Sequence, residues 1–188
     1  MKVTKQQICK IAIGMFRDRG YASVSVENIC EQCSVTRGSF YHYFKNKDDL
    51  LLFWFDEYAK NMTSFEASEP CLSPKERLRA YLEAYAEGIS RPGHELLYHT
   101  AIADFTLKKN IFITSALEDN AYSKVSDVVL PLIRCAQAEG TVNRDVNAER
   151  LLATHSYAMT GLVFQWKLSD GQVDFMSEMR TLFEIIFQ

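Results

Sequence analysis

Apolar residues return at steps of three and four along almost the whole chain, and no feature constrains its fold more. Ile8, Ile11, Ala12, Met15 and Phe16 stand at i, i+3, i+4, i+7 and i+8, which puts them on one face of a helix over about 4–19. Gly20 is placed to end it. Ser25 can cap a short second helix burying Val26, Ile29, Cys30 and Cys33, and Thr36 a third that runs to Tyr43. Asn46 or Lys47 opens a fourth, with Asp48 and Asp49 in its first turn, where the helix dipole favours acids. Its face carries Leu51, Trp54, Phe55, Tyr58, Met62 and Phe65.

The pattern resumes after a connector holding Pro70, with Ser73 as cap and Pro74 at the first helical position. Leu78, Tyr81, Leu82, Tyr85 and Ile89 mark this fifth helix, the run Ser90 to Gly93 breaks it, and another covers about 94–107. A long helix then carries Ile113, Leu117, Ala121, Val125, Val128 and Leu132 and ends at Gly140, with Pro131 expected to bend or split it. Asn147 can cap the next, and a last helix follows the turn Ser169 to Gly171. With four prolines and eight glycines in 188 residues and no strand pattern, the chain reads as all-α, with about nine helices.

A chain of this size, 47% hydrophobic and 24% charged, is ordinary globular protein. It has neither an apolar run long enough to span a bilayer nor the apolar N-terminal segment of a signal peptide, so a cytoplasmic location is expected. The odd number of scattered cysteines, five, argues against a disulfide framework. Cys30 and Cys33 form a C-x-x-C without a second ligand pair, so they read as small core residues; no metal or cofactor is expected. Four histidines are the only candidates for an enzyme, and no nucleophile elbow, phosphate loop or His-Glu metal motif accompanies them. Charge is uneven: residues 1–50 hold eight Lys/Arg against five Asp/Glu, and the rest 13 against 19. A basic head on an acidic body suggests an anionic partner for the head.

Within that head, two short helices joined by about three residues make a helix-turn-helix arrangement, whose second helix lies in the major groove. Phe40 and Phe44, four residues apart, can lock it to its neighbour. Tyr41 and Tyr43 can turn hydroxyls to phosphates, and Gly38 permits close approach. Arg37 and Ser39 are left to face the bases.

The run "SVENICEQCSVTRGSFYHYFKNKDDLL" resembles the signature of the TetR family of bacterial transcriptional regulators. Ser25, Val26, Ile29, Val35, Thr36, Gly38, Phe40, Tyr41, Tyr43, Phe44, Lys47 and Leu50 fall in register with it. The resemblance covers about the first 50 residues and departs at Cys30, Cys33 and Ser34, where alanine, alanine and glycine are usual. It implies base contacts from Arg37 and Ser39, and phosphate contacts from Thr36, Tyr41, His42 and Lys47, with Ser25 also at the DNA. Residues 1–46 would then be a DNA-binding domain and 47–188 an effector-binding and dimerisation domain. The function implied is a ligand-responsive repressor that binds a pseudo-palindromic operator as a homodimer. The alternative is a helical ligand-binding or interaction protein that does not bind DNA.

The last two helices carry broad apolar faces: Leu152, His155, Met159, Leu162, Val163 and Trp166 on one, Phe175, Met179, Leu182, Phe183 and Ile186 on the other. They can close the protomer's own core or pair with a second copy; the resemblance favours a four-helix dimer interface. Between head and interface, Tyr58, Met62, Tyr81, Tyr85, His99, Phe105, Phe112 and Tyr122 can together line an apolar cavity for a mostly apolar small molecule. By resemblance, such a ligand shifts the fourth helix and the spacing of two reading heads.

Overall fold

The structure, a computed structural model, describes residues 3–62, 72–107 and 124–188. Among them are nine helices and no strand. They are α1 (Lys5–Arg19), α2 (Val26–Cys33), α3 (Arg37–Tyr43), α4 (Lys47–Met62), α5 (Pro74–Ser90), α6 (His94–Leu107), α7 (Lys124–Glu139), α8 (Ala148–Leu168) and α9 (Phe175–Ile186).

The boundaries follow from side-chain capping. Thr4, Ser25 and Ser73 each accept from the amide three residues on, and Gln7, Asn28 and Glu76 return the bond. Thr36, Asn147 and Asp174 cap α3, α8 and α9 in the same sense. Pro131 lies inside α7, and the helix is continuous through it rather than split. The early apolar positions expected of that helix, Ile113, Leu117 and Ala121, lie outside the described residues.

Three apolar clusters hold the helices together. The first joins α1, α2, α3 and the start of α4 through Ile8, Phe16, Ile29, Phe40, Phe44, Leu50 and Leu51, and it also takes Leu96 of α6. The second lies among α5, α7, α8 and the C-terminal end of the chain. The third lies among α4, α5, α6, α8 and α9. α4 therefore runs out of the first cluster into the others: Leu50 and Leu51 belong to the head, Phe55 and Ala59 to the body. Among the described residues no helix is long and apolar enough to cross a membrane.

Candidate functional site

The turn between α2 and α3 is built without the usual glycine. Ser34 takes its place at φ 53°, ψ 43°, a left-handed conformation uncommon for a side-chain-bearing residue. Its amide closes on the Glu31 carbonyl at 3.1 Å, and that of Val35 on Cys30 at 3.0 Å. The cost is bounded because these two bonds satisfy carbonyls at the end of α2. Cys30 and Cys33 are buried beneath the turn, and burial raises both thiols. Burial likewise pushes Cys9 up to about 12. None of the three is in the thiolate form that redox sensing needs.

α3 is anchored from below and open above. Phe40 and Phe44 are buried, with ring centroids 5.6 Å apart, and every long lever on the other side is exposed. Arg37, Gly38, Ser39, Tyr41 and His42 form a solvent-facing strip. Thr36 accepts from the Ser39 amide at 3.1 Å and pairs with the Ser39 hydroxyl at 2.9 Å, fixing the first turn. A Cβ on Gly38 would meet nothing closer than the Thr36 hydroxyl at 3.8 Å, so no neighbour within the chain demands glycine there. Arg37 pairs with Glu27 of α2 at 2.9 Å and lies over the Tyr41 ring at 6.0 Å. Glu27 is held below the usual carboxylate range by its own backbone amide, by Ser25 and then by Arg37. The ion pair, exposed on both sides, draws the guanidinium toward α2. Ser25 itself is occupied in the capping box of α2.

Two residues differ from expectation. Tyr43 is half-buried, packed against the head core rather than turned fully outward. Lys47 does not reach into solvent: its ammonium donates to the carbonyls of Tyr21 (2.9 Å) and Val24 (2.7 Å) and sits 4.3 Å from the Tyr21 ring. Partial burial lowers its pKa. The start of α4 is also closed, since Asn46 accepts from the Asp49 amide and Asp49 from that of Lys45. Lys45, on the same edge, is exposed.

Beyond the shared α4, and beside Leu96 in the head core, head and body also meet at a joint through Tyr21. Tyr21, in the α1–α2 turn, donates to Asp48 at 2.5 Å and lies against the His99 ring of α6 at 4.5 Å. His99 therefore faces the head and not a cavity in the body. Burial lowers its pKa, opposed chiefly by Glu95.

Behind this joint, α4, α5, α7 and α8 line a cavity of about 50 Å³. Of the aromatic residues expected to line it, Tyr85 does. Tyr81 is buried in the second cluster, and Tyr58 donates to the Ala84 carbonyl at 3.1 Å across α5. Phe105 is 78% exposed on the outer side of α6. The side chain of Met62, and all of Phe112 and Tyr122, lie outside the described residues. Sequence reasoning missed Leu82, Ala86, Ser156 and Thr160 as lining residues and assigned His155 and Met159 elsewhere. Leu82 and Ala86 on α5, and His155, Ser156, Met159 and Thr160 on α8, recur at helical spacing, but spacing does not tell which neighbour a face meets.

The broad faces of α8 and α9 are likewise turned inward. Leu152, His155, Leu162, Val163, Phe175, Met179 and Phe183 are buried within the protomer, and Met159, Trp166, Leu182 and Ile186 are partly buried against its cores. They close this chain's own core. What α8 and α9 present outward is a different set: Tyr157 (49% exposed), Gly161, Leu168 (78%) and Ile185 (59%).

Comparison with known proteins agrees with this geometry. Residues 8–52 match the family described as bacterial regulatory proteins, tetR family. The transcriptional regulator AcuR of Cereibacter sphaeroides is 33% identical over 91 residues, 47% of this chain and 42% of its own length. The chain thus spans less than half of that relative. The crystal structure of regulatory protein TetR from Rhodobacter sphaeroides superposes over 100% of both chains, with a TM-score of 0.64 and 24% identity. Thermus thermophilus FadR, described as a transcriptional repressor in complex with lauroyl-CoA, superposes over 97% of this chain and 93% of its own, with a TM-score of 0.65 and 19% identity. Such structural likeness establishes the fold. The relatives are transcription regulators and not enzymes.

Proposed function

We propose that this chain, whose residues 8–52 match the tetR family of bacterial regulatory proteins, is a ligand-released repressor of that family. It binds a pseudo-palindromic operator as a homodimer. Residues 1–46 act as the reading head and 47–188 as the effector and dimerisation body, with α4 common to both cores. The observation that carries the reading is the exposed strip of α3, held rigid from behind by Phe40 and Phe44. A major groove accepts one such helix. Arg37 and Ser39 read base edges, and Thr36, Tyr41, His42 and Lys45 hold phosphates. Gly38, with no intramolecular neighbour that requires it, leaves room for the DNA backbone.

One head binds one half-site weakly, and a two-fold dimer doubles the contact. Support for the dimer lies in the outward apolar residues Tyr157, Leu168 and Ile185, with Gly161 permitting close helix approach. The effector site is the cavity among α4, α5, α7 and α8. Its route to the head is short: Phe55 lines the cavity on the same helix whose first turn holds Lys47 and Asp48 at the Tyr21 joint.

The test is fluorescence anisotropy on duplexes from the region upstream of the chain's own gene. Tight, salt-sensitive binding of one such duplex is expected. Arg37→Ala is expected to weaken it by about 1–3 kcal/mol and to relax base preference at one position in each half-site. Absence of binding to every duplex, or equal binding by the variant, overturns the reading.

A further inference from the structure

Twelve described residues line the body cavity, and none is Asp, Glu, Lys or Arg. Its polar groups lie chiefly on α8. The Ser156 hydroxyl donates to the Leu152 carbonyl at 3.0 Å and that of Thr160 to Ser156 at 2.9 Å, so each is committed to its own helix. His155 differs. Its ring is 6% exposed, packs against Phe187 at 5.6 Å, and its Nε2 is buried without a hydrogen-bond partner. A buried polar atom left unmet is costly and calls for an explanation.

We propose that the effector of this chain is a small uncharged molecule with an apolar body and one hydroxyl or carbonyl group, and that His155 Nε2 receives that group. This rests on the reading of the cavity as the effector site. Three observations carry it. The wall offers apolar contact on α4, α5, α7 and α8, which suits an apolar body. The volume, about 50 Å³, exceeds what a single water needs and falls short of the roughly 150 Å³ of a cavity that admits benzene. A volume of this size suits a molecule of a few heavy atoms. Third, among the described lining residues no cationic side chain stands ready for a carboxylate or phosphate, whose burial unpaired is prohibitive. Burial keeps the imidazole itself neutral near pH 7. A neutral imidazole nitrogen is a good partner for a hydroxyl or, in the other tautomer, for a carbonyl.

The test uses four molecules of nearly one shape: butanone, 2-butanol, propanoate and 2-methylbutane. Binding to the full chain at pH 7 is followed by the ¹⁵N resonance of His155 Nε2, and operator affinity by anisotropy. Butanone or 2-butanol is expected to shift that resonance saturably, and propanoate to leave it unmoved. In His155→Leu the two polar ligands are expected to bind at least tenfold more weakly, with 2-methylbutane unchanged or tighter. Should His155→Leu fail to fold, His155→Gln and the wild-type resonance decide the matter. Propanoate binding as tightly as butanone overturns the proposal. So does polar-ligand binding that ignores His155, or a water on Nε2 that no probe displaces. Saturable binding at His155 with operator affinity unchanged supports the ligand chemistry and overturns instead the reading of the cavity as the effector site.

Discussion

Two side chains show how local physics decides a residue's part. Lys47 stands where a phosphate contact is expected, yet its ammonium holds two carbonyls of the α1–α2 turn. Lys47→Ala is therefore expected to lower stability by about 1–2 kcal/mol in urea denaturation, a range reduced for partial exposure, since it removes charge-assisted bonds. Lys45→Ala is expected to leave stability unchanged and to flatten the salt dependence of operator binding by about one per half-site. An effect of Lys47→Ala on the salt slope alone would reverse these assignments. His155 makes a pH prediction. Burial depresses its pKa from 6.5 to about 4, so the unfolded chain takes up a proton below 6.5 that the folded chain refuses. Stability from this residue is complete above about pH 6.5 and falls as pH drops toward 4, by on the order of 3 kcal/mol in all. Urea midpoints between pH 7 and 4.5 are expected to fall more steeply in the wild-type chain than in His155→Gln.

Among the helices, α4 and α5 meet where a side chain would not fit. A Cβ at Gly88 would overlap the Tyr58 hydroxyl and ring edge, and that hydroxyl donates to the Ala84 carbonyl one turn earlier on α5. Gly88→Ala is expected to displace Tyr58, break that bond and destabilise the fold by about 1–3 kcal/mol. Loss of the Tyr58–Ala84 bond is readable as a shift in tyrosine fluorescence or in the Ala84 carbonyl resonance. A variant as stable as the parent would show that Tyr58 moves without cost. Because α4 links the cavity to the Tyr21 joint, the same variant is a direct probe of transmission from body to head.

The proposed operator binding requires two copies of the chain. The notional interface residue Leu182 is partly buried in this protomer, so a charge there tests folding and not assembly. Ile185 is 59% exposed and avoids that ambiguity. Ile185→Glu is expected to leave the helical content and melting profile intact and to convert dimer to monomer in sedimentation. Operator affinity should fall by two orders of magnitude or more. A variant that remains dimeric would move the interface away from this face of α9.

The sequence alone determined the elements of this protein. Capping is local: Thr4, Ser25, Thr36, Ser73 and Asn147 each bond within their own first turn, so their helix starts were readable three residues at a time. Phe40 and Phe44 were legible as anchors because spacing of four puts both on one side of a helix, and the strip opposite followed by exclusion. Only the tertiary structure decided what each apolar face meets. An apolar stripe says that it must be buried and is silent on the partner. The faces of α8 and α9 that read as a dimer interface close the protomer's own core, and it is Tyr157, Leu168 and Ile185 that lie exposed. His155 became a candidate ligand contact, and Lys47 a clamp, because helices distant in sequence bring walls and carbonyls to them; such long-range contacts leave no trace in local spacing.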